Sequence, residues 1–318
     1  MVKQTYEQFP ENMWVTAVQV ATVWTDPASA REIDAPGTTN PTNIDQWVTS
    51  LSYEESLALC DENRVQSQLL YGEPVLVTET ENEWAHVVIP SQPSGKDVRG
   101  YPGWVPLKQL RQVDKRDWMT ENYAAVTADK AVLETKDGEP FIKVSYMSIL
   151  PVLQSGDTRV QVQTPHGKYE IATEDVHIFK GEKGLAKGSG EDIVTAGEPF
   201  TGLDYFWGGM SSFGYDCSGL AYAAHKANGY QIARDAGDQA KAGEEVTYDR
   251  LEPGDLLFFA YEEGKGKLHH VGIYYGGGRL LHSPQTGKGI EVIEMAGTKY
   301  EKELCAARRY WKKAGGND

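Results

Sequence analysis

A chain of 318 residues exceeds what one hydrophobic core ordinarily fills, since single cores stop growing near ~250 residues, so two or three domains are expected. Its 40% hydrophobic and 24% charged residues exclude a disordered chain, and a net charge of −15, from 46 acidic against 31 basic residues, opposes binding to nucleic acid or to an anionic wall polymer. No run of about 18 apolar residues exists to cross a membrane, and the start, MVKQTYEQFPENMW, carries neither a basic n-region nor an apolar h-region. The expected compartment is therefore the cytoplasm, unless a leader has been cleaved.

Along the first 180 residues, short alternating runs separated by Gly, Asp and Pro turns predict small β-barrels or rolls. Two stretches resemble each other in pattern. Ala17 and Val18 can be laid over Ala125 and Val126, and Pro74, Val75 and Leu76 over Pro151, Val152 and Leu153. Short strands then end at Pro90 and Pro165, and the copies close on GWVPLKQL from Gly103 and YEIATEDV from Tyr169. The first copy carries an insertion over residues 26–64, in which Ser52 and Glu55 stand at capping-box spacing before a helical pattern. GEKGLAKGSGED, residues 181–192, reads as a linker because it lacks large apolar residues. Beyond it, one helix after Asp216 precedes strands near 255–261, 268–275, 279–283, 289–293 and 305–310, an α+β pattern with a largely antiparallel sheet.

The chemistry-bearing segment is DYFWGGMSSFGYDCSGLAYAAHKANG, residues 204–229. Asp216 stands where an N-cap belongs, Leu220, Ala221, Ala224 and Ala227 give the apolar pattern, and Gly229 is the stop. Cys217 falls in the first turn, where exposed amides and the helix dipole would lower a thiol pKa into the reactive range. A lone cysteine is more often a buried structural residue, and Cys60, Cys217 and Cys305 are too few and too far apart for a disulfide framework or a CxxC site. A second group shifts the balance: HHVGIYYGGGRLLHSP puts His269 and His270 on one strand and His282 on the next. A thiol nucleophile needs a base, and the base needs an orienting partner. Strand alternation sends His269 and His270 to opposite faces, so one of them serves; the assignment is His270. Zinc held by Cys217, His270 and His282 is the rival reading, disfavoured by the absence of a close ligand pair. His86, His166, His177 and His225 stand alone and receive no role.

DCSGL at residues 216–220, HVGIYYG at 270–276 and LLHSP at 280–284 resemble the NlpC-type family of bacterial cell-wall cysteine peptidases. That resemblance implies a circularly permuted papain-like domain, spanning 193–318, after two small SH3-like β-barrels at 1–113 and 114–180. Further similarity, in LYGEPV at 70–75, RGYPGWVP at 99–106 and Tyr205, is to the γ-D-glutamyl-L-diamino acid endopeptidases of this family. It implies a murein peptide substrate, L-Ala-γ-D-Glu-diamino acid, in peptide recycling, and no cofactor or metal. It also implies that Glu73 and Tyr101, with Asp235, hold the substrate's free amine at a closed groove end, and that Tyr205, Asp216 and Ser218 line the site. Such a closed end would reject a stem still attached to muramic acid, which has an amide in place of the charged amine. Ala236 departs from the serine usual in relatives, which removes one side-chain contact to the D-Glu carboxylate.

The implied reaction has Cys217 attack the γ-amide carbonyl, with the oxyanion held by the Cys217 N–H and Tyr205, His270 moving the proton and His282 orienting it. Three other readings compete. They are a secreted autolysin cutting intact wall, a binding protein with an inert papain-like domain, and an acyltransferase that resolves the thioester with an acceptor other than water.

Overall fold

A computed structural model of the chain describes residues 6–311, which divide into two compact units. One comprises residues 6–91, 99–185 and 211–213, the other 92–98, 186–210 and 214–311. Residues 1–5, part of the segment read above as lacking a leader, and 312–318, the end of the C-terminal domain, lie outside the described residues. Among the described residues no helix is long and apolar enough to cross a membrane.

The first unit holds two seven-stranded antiparallel sheets. In the first, β1 (Asn12–Thr16), β2 (Val20–Trp24), β3 (Val65–Leu70), β4 (Pro74–Glu81), β5 (Trp84–Ile89), β6 (Tyr101–Pro106) and β7 (Leu110–Asp114) are ordered β3-β2-β6-β5-β4-β1-β7. The second has β8 (Asn122–Val126), β9 (Lys130–Glu134), β10 (Pro140–Ser145), β11 (Ile149–Ser155), β12 (Arg159–Thr164), β13 (Gly167–Ala172) and β14 (Val176–Lys180), ordered β10-β9-β13-β12-β11-β8-β14. Adding seven to each strand number converts one order into the other, so the loose repeat in the sequence is a full repeat of topology. Alternation builds each core: Ala85, Val87 and Ile89 turn inward from β5, and Val160 and Val162 do so from β12.

Hydrogen-bond register decides which residues correspond. Ile89 pairs with Tyr101 and Thr164 with Gly167, so Pro90 and Pro165 are equivalent, as are Gly103 and Tyr169, in agreement with the sequence alignment. The other two pairings are off by two residues. Thr16 pairs with Leu110 and donates to the Glu73 carbonyl, while Val126 pairs with Val176 and donates to the Ser148 carbonyl. Ala17 thus matches Thr127, and Pro74, which pairs with Val15, matches Ile149, which pairs with Ala125. A slip of two leaves every inward side chain on the same face, so the alternating pattern cannot detect it.

The insertion exists only in the first copy, since β9 and β10 join directly. It contains the helices Ile44–Ser50 and Tyr53–Asp61, and the second is closed by the expected capping box, with the Glu55 N–H donating to Ser52 Oγ at 3.2 Å and the Ser52 N–H to Glu55 Oε2 at 2.7 Å. Trp47 fixes the insertion to the sheet: its ring lies 5.8 Å from that of Trp24 and its Nε1–H donates to the buried Asp34 at 3.0 Å.

In the second unit β15 (Met210–Ser211) and β16 (Gly214–Tyr215) form a small hairpin, its tip counted with the first unit, that leads into the helix Cys217–Ala227. The main sheet contains β17 (Glu244–Glu245), β18 (Leu256–Ala260), β19 (Leu268–Gly276), β20 (Arg279–His282), β21 (Glu291–Glu294) and β22 (Leu304–Arg309), ordered β17-β22-β18-β19-β20-β21 and antiparallel throughout. The helix Cys217–Ala227 packs on β19, and a second helix, Gly190–Gly197, packs on the first.

That second helix takes up residues 190–192, the end of the segment read as a linker. Ser189 and Asp192 form a capping box, with the Asp192 N–H donating to Ser189 Oγ at 3.2 Å and the Ser189 N–H to Asp192 Oδ2 at 2.8 Å. The Gly188 N–H donates to the Asn228 carbonyl at 3.3 Å. The glycines permit close packing here: a Cβ on Gly188 would stand 2.0 Å from Asn228 Oδ1. Composition signalled a flexible stretch where the backbone is pinned. Residues 92–98 also group with the second unit, although they connect strands of the first sheet.

Candidate active site

The helix Cys217–Ala227 begins on a network that immobilises its first turn. Asp216 is the N-cap, its Oδ1 accepting from the Gly219 N–H at 2.7 Å and its Oδ2 from the Gly208 N–H at 3.0 Å. Arg234 donates to both carboxylate oxygens, at 3.2 and 2.7 Å, and to Ser218 Oγ at 2.8 Å, while Ser218 Oγ donates to Asp216 Oδ1 at 3.1 Å. The Arg234 and Asp216 side chains are only 1% and 7% exposed, so this is a buried ion pair with its hydrogen bonds met. Gly219 is needed for packing, because a Cβ there would stand 2.0 Å from the Gly209 carbonyl oxygen.

Cys217 follows this cap and is partly exposed as a residue. Burial around the sulfur and the Asp216 charge push its thiol up to about 12, against the Val271 and Ser218 amides and the Arg234 guanidinium, which favour the thiolate. The amide of Val271 belongs to the residue after His270, which places the sulfur beside the strand that carries the imidazole. Burial thus works against the lowering expected from the helix start.

His270, on β19, is 3% exposed and His282, on β20, is fully buried. His270 Nε2 and His282 Nδ1 lie 2.8 Å apart. Gly272 makes this approach possible, since a Cβ there would meet Leu280 Cδ1 at 2.6 Å and His282 Cβ at 3.1 Å. Burial holds His270 well below 6.5, with further lowering from His282, His269 and Lys299, and lowers His282 to about 4, with Lys299 again adding. Each of these shifts favours the uncharged form of the thiol and of the two imidazoles. Nε2 of His270 is engaged with His282, which leaves Nδ1 for the sulfur. The expected opposite facing of His269 is corrected: the β18–β19 register shifts at this residue, a bulge that breaks the alternation, so its ring stacks 6.3 Å from that of His270. His269 also stacks on Tyr261 at 4.0 Å and meets Glu303 Oε2 at 3.2 Å.

Sequence reasoning missed three participants. Arg234 carries no positional signal beyond its place beside Asp235. Tyr300 closes the imidazole pair, its ring 5.3 Å from that of His270 and 4.8 Å from that of His282. Glu291 is the cross-strand partner of His282 and brings Oε1 to 3.6 Å from His282 Nε2.

The expected substrate-binding residues differ in placement. Asp216 and Ser218 are spent on the cap network, which gives them internal partners. Asp235 precedes the short helix Ala236–Gln239 and lies 3.4 Å from Lys96 Nζ, on the 92–98 segment that the Arg234 N–H holds through the Pro93 carbonyl at 2.9 Å. Tyr205 is half-buried and bridges in parallel to Tyr215, two residues before the nucleophile. Glu73 and Tyr101 belong to the first unit. The Glu73 carboxylate accepts from the Leu70 N–H at 2.8 Å and from Ser91 Oγ, and Tyr101 is a buried core residue whose hydroxyl donates to Gln66 at 3.3 Å. Of the unassigned histidines, His86 pairs with Thr78, His166 with Tyr71 and His225 with the Ala221 carbonyl.

The NlpC/P60 family profile matches residues 202–309, and the YKFC SH3b2 domain profile matches residues 126–179. Across 290 residues the chain is 47% identical to a γ-D-glutamyl-L-lysine dipeptidyl-peptidase of Bacillus subtilis, covering 91% of this chain and 96% of that one. Similarity to a γ-D-glutamyl-L-lysine dipeptidyl-peptidase of Bacillus cereus is 36%, over 92% of this chain and 89% of that one. A crystal structure of an NlpC/P60 family protein from Bacillus cereus superposes with a TM-score of 0.90 at 35% identity, covering 94% of this chain and 99% of that one.

Proposed function

The chain belongs to the NlpC/P60 family, and on that premise we propose that it is a cysteine endopeptidase cleaving the γ-D-glutamyl to diamino acid bond of murein peptides with a free N-terminal L-Ala. The observation that carries this reading is the 2.8 Å contact between His270 and His282, beside a cysteine at a helix N-terminus. Likeness to the dipeptidyl-peptidases over 91% of the chain supports the substrate class.

The reaction starts from neutral partners. The Cys217 thiol passes its proton to His270 Nδ1 as sulfur attacks the γ-carbonyl carbon, and the oxyanion is met by the Cys217 N–H with Tyr205. The His270 imidazolium is held through Nε2–H by His282. Collapse of the tetrahedral species breaks the C–N bond, and the Nδ1 proton goes to the leaving amine. Water then attacks the thioester with His270 as base, releasing L-Ala-γ-D-Glu and the thiol. Burial favours the uncharged thiol and imidazoles, so on this reading the ion pair forms as attack proceeds.

Glu73, Tyr101 and Asp235 would select the substrate by a charge-assisted hydrogen bond to its ammonium, a contact of about 1.5–3 kcal/mol. A substrate with a free amine would already have lost its muramyl group, which supports a step after wall breakdown, in peptide recycling. The net charge of −15 supports a small free peptide over the anionic wall as partner.

Mass spectrometry of products from L-Ala-γ-D-Glu-diaminopimelate, and from the same peptide N-capped by a muramyl group, tests the proposal. Cleavage of the free peptide alone, to L-Ala-γ-D-Glu and diaminopimelate, is expected. Equal cleavage of both would replace it with a wall hydrolase, and failure on both with a reactive Cys217 would favour an acyl acceptor other than water.

A further inference from the structure

His282 and Glu291 face each other on one rung of the sheet, the last pair of the β20 and β21 register. The protonation of the imidazole pair gives that rung a consequence. Once His270 has taken the thiol proton, both of its nitrogens carry hydrogen, so its Nε2–H must donate across the 2.8 Å contact to His282 Nδ1. His282 Nδ1 must then be bare, which puts the single proton of a neutral His282 on Nε2. In a fully buried side chain that N–H has no hydrogen-bond acceptor among the described residues. The Glu291 carboxylate stands 3.6 Å away, beyond a hydrogen bond but within the reach of side-chain rotation, since that side chain is 48% exposed. Catalytic contacts are often long in a free enzyme and tighten on substrate binding.

We propose that Glu291 is a positioning residue: its carboxylate accepts the His282 Nε2–H, fixes that tautomer, and so holds His282 Nδ1 as the acceptor that the His270 imidazolium requires. This rests on the reading of Cys217, His270 and His282 as the catalytic set. The other charged and titratable groups around the pair are His269 on β19, Cys217 and Asp216 at the helix start, and Lys299, Tyr300 and Glu303 from the helix Lys299–Glu303. Glu303 is engaged with His269, and Lys299 opposes positive charge on both imidazoles, which leaves Glu291 as the carboxylate placed to support it.

The test compares Glu291→Ala, Glu291→Gln and His282→Ala in the full chain, by steady-state kinetics on the free tripeptide, by the pH profile of kcat/KM, and by 15N-detected imidazole NMR. Glu291→Ala should lower kcat about tenfold with KM within about twofold. It should also move the acid limb to lower pH, because the carboxylate that favours the imidazolium is gone, and shift His282 away from a pure Nε2–H tautomer. Glu291→Gln should retain most of kcat, since an amide oxygen still accepts the N–H, yet show the same acid-limb shift. Unchanged kcat in Glu291→Ala beside a crippled His282→Ala would overturn the proposal. So would a fall in kcat with tautomer and acid limb unmoved, which would mark Glu291 as merely structural. A fully active His282→Ala would instead bring down the catalytic set on which the proposal stands.

Discussion

The two polar ends of the active site are built on opposite rules. At the helix start, Asp216 and Arg234 form a buried ion pair whose carboxylate oxygens are each met by a backbone N–H and by the guanidinium. At the strand end, burial favours the neutral forms of His270 and His282, which one hydrogen bond joins, and one nitrogen of His282 is unmet among the described residues. A closed network fixes where the sulfur sits, and an incomplete one leaves room for a proton to move.

The largest expected effect breaks the first end. Arg234→Met leaves the Asp216 carboxylate buried without its counter-charge and should cost about 3–5 kcal/mol of stability in urea unfolding. Replacing both partners, Asp216→Asn with Arg234→Met, should cost clearly less, because no uncompensated charge remains. If Arg234→Met kept wild-type stability while turnover collapsed, the pair would belong to the chemistry and the contrast would fail.

Next comes the neutral end, through pH. His282 and His225 are both lowered to about 4 by burial, so each binds fewer protons folded than unfolded. Stability from a depressed imidazole is fully present above 6.5 and is lost as pH falls toward 4. Between pH 7.5 and 5.0 each should remove about 2 kcal/mol. His225 is the cleaner probe, since its Nδ1 bonds only the Ala221 carbonyl, at 2.8 Å, within its own helix. His225→Phe should therefore flatten the pH dependence of urea unfolding by about that amount. An unchanged slope would mean that His225 ionises as freely folded as unfolded.

This division also explains what could be read from the sequence. The cap, the nucleophile helix and the strands that bear His270 and His282 depend on local rules of capping and alternation, and they lie where the pattern placed them, within one or two residues at each strand end. The burial that opposes ionisation of the thiol was not legible, because helix position is local while desolvation depends on everything packed around the sulfur. Arg234, Tyr300 and Glu291 were invisible for the same reason. Each reaches the site across the fold, and none carries a spacing that announces it. The Ser189 and Asp192 capping box was legible but was outweighed by the glycines around it.

The smallest expected effect uses the repeat of the first unit as its control. Gly72 and Met147 occupy equivalent left-handed turns, at φ 79° and 60°, and each donates its N–H at 2.9 Å to the strand before it, to Thr16 and Val126. The next residue is Glu73 in one copy and Ser148 in the other. The backbone frame is shared, so whatever differs at this position comes from the side chain. Glu73→Gln removes a negative charge but keeps an acceptor for the Leu70 N–H, and it should raise KM for free-amine peptides about tenfold with kcat little changed. Ser148→Ala, at the twin turn, should leave both constants within about twofold, because the buried Ser148 hydroxyl has no hydrogen-bond partner among the described residues. Equal effects at the two turns would assign them to the shared frame, and an equal loss on free and N-capped peptides would refute a contact to the amine.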